Sequence, residues 1–398
     1  MKICSKKKMK TLRKVITIAV FVTVIAAAYL CGRFMPADIA DKYSGEIFPL
    51  LSSGPQRLSA LTGAALTEIA FLILCGLALP LLILWIVLLI KRSLTHGAGR
   101  FLYKSFRNLL AVSMVLLILF EIFHGMNYRR TTARTMLGLG TNKLTLEDYC
   151  EAFEWAYEGM IKARAELKEN DKGVSMMSSD FNGIAEHSSQ IVDSFCASYG
   201  IAPYKCYARP KSVRLSHYWS WTYIVGMYNP VFGEVIVNTD YLDTTSVPLN
   251  VCHELCHAKG FANETDCNLL GTMACITSDR ADFRYCGYFN VFVNLLTVIQ
   301  YNVKTFGFEY DMHVQDDSIK PVIRDLQAAN EYWISIDKEV KDFEKRTGIN
   351  ITKQASAAND KYLQSNGEKE GEKTYQVPQN EYVDFYLMYF SKKGGKNA

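Results

Sequence analysis

At 398 residues the chain is long enough for two or three units, and 49% of it is apolar, so a sizeable membrane or core portion must be placed. A net charge of only +4, with no basic stripe interleaved with aromatics beyond the N-terminal region, excludes a nucleic-acid-binding surface. Eleven cysteines without a CxxC pair exclude a dense disulfide framework; most are expected to be small buried residues, although Cys196 and Cys206 could close a short loop.

The apolar residues gather near the N-terminus. Val15 to Gly32 is apolar apart from small residues and follows "MKICSKKKMKTLRK", which carries seven Lys or Arg. About 18 residues is near the minimum for crossing ~30 Å of hydrocarbon. A secretory signal peptide competes with this reading. No small-x-small cleavage site follows, and two further apolar segments come soon after, so an uncleaved anchor is expected. Ile69 to Ile90 has no charge and carries Pro80 near its middle. Proline is tolerated there when neighbours re-satisfy the freed carbonyl. Leu109 to Phe123 carries Glu121, a residue costly in lipid unless it faces other helices or the interface.

Loop charges give an orientation. The first loop, Arg33 to Glu68, has three Lys or Arg, and the shorter "KRSLTHGAGRFLYKSFRN" has five. The basic N-terminus and second loop are therefore expected in the cytoplasm. Three crossings then place everything after about Asn127 outside it. The expected organisation is a basic tail (1–14), a three-helix transmembrane region (15–126) and an extracytoplasmic domain (127–398) in the cytoplasmic membrane.

That domain reads as mainly α, with a small β-hairpin. "TLEDYCEAFEWAYEGMIKARAELKEN" opens on a Thr cap and keeps helical apolar spacing. "DFNGIAEHSSQIVDSFCASYG" is a second helix ended by Gly200. "WTYIVGMYNPVFGEVIVNTDYL" alternates around a Tyr-Asn-Pro turn and predicts a hairpin whose "GEVIVNTD" strand could serve as an edge for extended peptide. Helix returns at Pro248 and dominates to the end. "YCGYFNVFVNLLTVIQYNV" is expected as a buried helix rather than a fourth span, "SNGEKEGEKTYQ" as a charged loop and "KKGGKNA" as a frayed tail.

The chemistry concentrates in "VPLNVCHELCHAKGFANETDCN", which contains His-Glu-x-x-His. On a helix, residues four apart share a face, so His253 and His257 can aim imidazole nitrogens at one ion. Glu254, one step round, can reach a water at that ion without being a ligand, the geometry of a general base in zinc peptidases. The alternative is two histidines packed on a core helix with a paired Glu254. Pro248 suits the start of this helix and Gly260 its left-handed end. The third ligand is open. If Asn263 caps a second helix, Glu264 lies in its first turn and can turn back to the metal; Asp266 is the alternative. Asn268, four residues beyond Glu264, could hydrogen-bond a ligand from behind. This E-x-x-x-N resembles the E-x-x-x-D helix of membrane-bound zinc proteases with two His and one Glu.

The chain resembles the bacterial family called domain of unknown function 3810. The resemblance covers the three N-terminal apolar helices, "HGMNYRR", "GEVIVNTD", "HELCHAKGFANETDCN", "ACITSDRADFRYCGY" and "NDKYLQSNGEKEGEKTYQ", in that order. It implies a zincin-like α+β domain, a membrane-anchored metallopeptidase and a zinc ion, with His253, Glu254 and His257 on the family's motif. After Gly-Phe the family usually reads Glu-Asp-Glu-Ala-Asn; here Glu264-Thr265-Asp266-Cys267-Asn268 keeps the outer Glu and the Asn. That favours Glu264 as ligand. Tyr285, Tyr288 and His217 are candidates for oxyanion stabilisation or substrate contact.

Three functions are in play. The first is a gluzincin-like peptidase acting on peptide or protein outside the membrane. The second is a non-catalytic zinc-binding sensor or scaffold. The third is a transporter component, resting only on Glu121 and Pro80.

Overall fold

The structure is a computed structural model and describes residues 2–306 and 317–390; the expected tail "KKGGKNA" lies outside the described residues. The fold is mainly helical. Helix α1 (Lys2–Phe34) leads into two helices in the first connection, α2 (Ala37–Lys42) and α3 (Phe48–Ala60), joined by a π-helical turn at Tyr43–Ile47. Next come α4 (Leu66–Leu94) and α5 (Ala98–Phe123), and a 3-10 turn at Gly125–Arg129. Three segments are long and apolar enough to cross a membrane: Thr11–Phe34, Leu66–Leu94 and Ala98–Phe123. Glu121 is buried against Gly32 of α1 and Gly125, so protein rather than lipid surrounds its carboxylate.

Two expectations change here. The basic second loop is mostly helix: only residues 95–97 separate α4 from α5, so Arg100, Lys104 and Arg107 ride on α5. The first loop is also helical and forms part of the globular body. Glu234 accepts from the backbone N–H groups of Leu66 and Thr67 at 2.9 and 2.7 Å, filling orphan donors at the start of α4 from the far side of the chain.

The globular part continues through α6 (Ala133–Met136), α7 (Leu146–Ala165), α8 (Phe181–Ser198) and α9 (Ser216–Ser220). Thr145 and Asp148 form a capping box on α7, and the Asp180 side chain caps α8. Strands β1 (Lys211–Ser212), β2 (Gly226–Asn229) and β3 (Glu234–Val237) make one small sheet in the order β1-β3-β2. β2 and β3 are the expected antiparallel hairpin, with Met227 opposite Ile236. β1 runs parallel to β3 on its other side, and a two-residue strand leaves no alternation to find in the sequence. "GEVIV" is therefore the central strand, and β1 and β2 are the two edges. Four fully buried residues in a row on β3 fit that central place.

Helices α10 (Val247–Ala258), α11 (Glu264–Ile276) and α12 (Ala281–Phe306) follow, then α13 (Lys320–Thr347), α14 (Ile351–Asn366) and α15 (Gln379–Tyr389). α12 packs along α7, with Phe153 and Phe292 stacked at 5.1 Å, and buries Val291, Leu295 and Ile299. It is a core helix, as expected. α10 and α11 lie at the centre of the main apolar cluster, almost wholly buried. Cys196 and Cys206 are free, buried thiols, with burial pushing them up to about 11 and about 12, so the short loop is not closed.

Candidate metal centre

Local chemistry builds the motif helix. Pro248 sits in the first turn of α10, where its missing N–H costs nothing. Gly260, at φ +77°, takes the left-handed turn that ends it. Asn263 then caps α11, its side chain accepting from the Asp266 backbone N–H. The tight turn folds the start of α11 back over the last turn of α10. His253, Glu254, His257 and Glu264 are all buried, between 5 and 7% exposed.

The imidazoles are locked from behind. His253 Nδ1 lies 2.7 Å from Asn268 Oδ1, and His257 Nδ1 lies 2.8 Å from the Phe261 carbonyl. Both partners accept: Asn268 already donates its amide to the Tyr375 carbonyl at 2.6 Å. In each neutral ring Nδ1 therefore carries the hydrogen, and Nε2 is the nitrogen with a lone pair for a metal ion. Those two Nε2 atoms are 3.1 Å apart, and Glu264 Oε2 is 3.0 Å from one and 3.3 Å from the other. Two ligands of a tetrahedral zinc, each at about 2.1 Å, stand about 3.4 Å apart, so the donor set fits zinc and its spacing is within a few tenths of an ångström.

The electrostatics carry the same message. Burial works against charge on His257, yet the Glu264 carboxylate outweighs it and pushes the ring up to about 9. Burial likewise opposes charge on Glu264, and the two imidazoles hold it well below the usual carboxylate range. Both shifts show that a positive charge between these atoms is favoured, whether a proton on His257 or a metal ion in its place.

His253, His257 and Cys267 form a second trio, their ligand atoms within 4.8 Å of one another. Cys267 Sγ, however, lies 3.3 Å from His257 Nδ1, the nitrogen facing away from Glu264, and is 3.2 Å from the Phe261 carbonyl. It supports the ring from behind, and Glu264 completes the convergent set.

Glu254 is buried beside the cluster, its carboxyl raised chiefly by burial and lowered by the nearby imidazoles. Gly226 of β2 presses on it, and any side chain there would collide with the carboxylate. The free edge of β2 thus passes directly over the proposed base.

The remaining expected residues are elsewhere. Asp266 is buried on another side of α11 against the Ala133 backbone, where burial pushes it up to about 7. Two residues along the helix from Glu264, a rotation of roughly 200°, turn it off the ligand face. Tyr285 donates to Asp325 at 2.8 Å inside the core, and Tyr288 packs on Trp155 and Gly159. His217 is half-exposed and pairs with Asp240 at 2.9 Å and Glu339 at 2.8 Å. None of these three belongs to the site.

Their place is taken by aromatics from distant segments. His124, directly after α5, meets His257 edge to face at 5.6 Å, and burial depresses it to about 3. Tyr375 stacks on His253 at 6.1 Å, while the Tyr128 and Tyr362 hydroxyls meet at 3.4 Å. Residues 366–375, expected as a charged loop, strap the site. Arg129 holds the Asn366 carbonyl at 2.8 Å, Asn263 donates to Glu368 at 2.5 Å and Thr265 to the Thr374 carbonyl at 2.5 Å. The signal was present in "HGMNYRR" and "NDKYLQSNGEKEGEKTYQ", which supply these tyrosines.

The model of a family described as protein of unknown function (DUF3810) matches residues 43–379. No curated protein and no solved structure matches the chain.

Proposed function

The chain belongs to this family of unknown function, and we propose from the site itself that it is a membrane-anchored, zinc-dependent metallopeptidase of zincin-like design. One observation carries the reading: three lone-pair atoms, two Nε2 and one carboxylate oxygen, converge at 3.0–3.3 Å with a buried carboxylate beside them. Two His and one Glu, with a general-base Glu on the motif helix, is a donor set of catalytic zinc sites that keep an open position.

When bound, zinc supplies Lewis acidity, lowering the pKa of water and polarising a carbonyl. His253, His257 and Glu264 would hold it. Glu254 takes a proton from water as its oxygen adds to the peptide carbonyl carbon, and returns that proton to the departing amine nitrogen as the C–N bond breaks. The β2 edge pairs the substrate backbone and sets it across Glu254. The Tyr128, Tyr362 and Tyr375 side chains close the site against water. The three apolar helices anchor the protein in the cytoplasmic membrane, with the N-terminus inside and the domain outside.

Full-length protein in detergent, loaded with zinc and given a peptide library, should cut it, and Glu254→Gln should bind zinc equally but cut nothing. Cleavage that persists in Glu254→Gln would overturn the mechanism. The burial of all four site residues favours a second reading, a zinc-holding scaffold without turnover; zinc binding with no cleavage by either form would establish it.

A further inference from the structure

The site lies against the outer ends of the apolar helices. His124, the first residue beyond α5, touches the His257 ring. Tyr362, at the mouth and 39% exposed, packs edge-on against Phe120 of the last turn of α5 at 6.2 Å. Gln56 of α3 donates to the Ala258 carbonyl of the motif helix at 2.9 Å. An α-helix needs about 20 residues to cross ~30 Å of hydrocarbon. Counted from Arg107, the last cation before the apolar run of α5, that span of about 20 residues ends beside His124, in the turn that follows the helix. The catalytic cluster therefore stands level with the headgroup layer at that end.

α3 points to the same depth by its inverted amphipathicity. It turns Ser52, Gln56 and Ser59 inward to the protein beside Phe48, while Leu50, Leu58 and Leu61 are 76, 68 and 82% exposed and Arg57, exposed among them, lays its guanidinium over the Tyr207 ring at 3.6 Å. Water would leave the leucines unpaid for, and the polar side is already satisfied: Gln56 bonds Ala258, and Ser59 donates to Glu234 at 3.2 Å. The helix that bears these leucines leads within a few residues into α4, which carries no charge from Ile69 to Ile90 and is long and apolar enough to cross a membrane. The occupant of the leucine face is the acyl layer, the usual setting of an in-plane helix sunk about 5–10 Å into the boundary.

Resting on the peptidase reading, we infer that α3 lies in the outer leaflet and that the site cuts polypeptides anchored in that same leaflet, within the first few residues beyond the anchor. The headgroup layer is about 5–7 Å deep, and an extended residue covers ~3.3 Å. A chain leaving the hydrocarbon reaches the β2 edge within about six residues. A folded soluble protein would have to bring its scissile bond down to the bilayer surface.

The test uses full-length, zinc-loaded protein in phosphatidylethanolamine–phosphatidylglycerol vesicles. One probe is a randomised peptide library carried on a single transmembrane helix; the other is the same library free in solution. The anchored library should be cut at least tenfold faster, at bonds within about six residues of the anchor. An inserted spacer should leave the cut at the same distance from the anchor. Equal rates, or cuts scattered along the chain, would overturn the inference and leave the peptidase reading standing. No cutting of either library would remove both. The leaflet position of α3 has its own readout: added emission from Leu58→Trp should be quenched by brominated lipid, and unquenched emission would overturn that half.

Discussion

Asp325 and Glu264 are both buried carboxylates among helices, and each centres a cluster of polar side chains. At Asp325 every neighbour donates. Arg164 gives two hydrogen bonds at 2.6 and 3.1 Å, the Ser175 backbone N–H one at 2.8 Å, and the Tyr285 hydroxyl another at 2.8 Å. At Glu264 the neighbours are imidazoles whose hydrogens are committed to Asn268 and Phe261 on their far sides. One cluster is complete in itself, and the other is the one proposed to hold a cation. Burial and charge are shared; the direction of the lone pairs separates a structural ion pair from a candidate metal centre.

The comparison can be broken most forcefully at the base. Glu254→Gln should lower peptide hydrolysis by about 10²–10⁴-fold, the usual worth of general-base catalysis, with zinc content unchanged. A fall in zinc content instead would make Glu254 a ligand. At the other cluster, Asp325→Ala removes two hydrogen bonds from the buried Arg164 and leaves it only the half-exposed Glu169 at 2.9 Å as a charged partner, and should cost about 3 kcal/mol of unfolding free energy. Denaturation in detergent reads this, and zinc per folded molecule should not change. If zinc were lost as well, the two clusters would not be separable. Asn268→Ala frees the His253 ring to turn, and should weaken zinc about 10–100-fold in a chelator competition. His217→Asn should matter least, within about 0.5 kcal/mol, because the His217 ring is half-exposed. Hydrogen bonds to Asp240, and then Glu339, raise its folded-state pKa. Its contribution should be full below about pH 6.5 and vanish as pH rises through the raised value, visible as a melting-temperature gap at pH 6 that closes at pH 9.

What could be read from the sequence was local. The two helices of the site and their punctuation at Pro248, Gly260 and Asn263 are decided within a few residues, and so are the apolar spans. Asn268 behind His253 follows from a four-residue step on the same helix. Asp266 was excluded only when the face of α11 was fixed by its packing. Tyr285 and Tyr288 stand on a helix close in sequence, but α12 turns them to Arg164, Asp325 and Trp155. The aromatics that do cover the site come from before residue 130 and after residue 360, and periodicity carries no information on which segments meet. α3 escaped notice because Ser52, Gln56 and Ser59 are buried while its leucines are exposed, so its pattern reads as an ordinary connection.

The central claim is that one zinc ion sits between His253, His257 and Glu264. Metal analysis of purified full-length protein beside His253→Ala and Glu264→Ala tests it most directly. About one zinc per chain in the parent and almost none in either folded variant is the predicted result. Zinc bound equally by all three proteins, or by none of them after zinc loading, would contradict it.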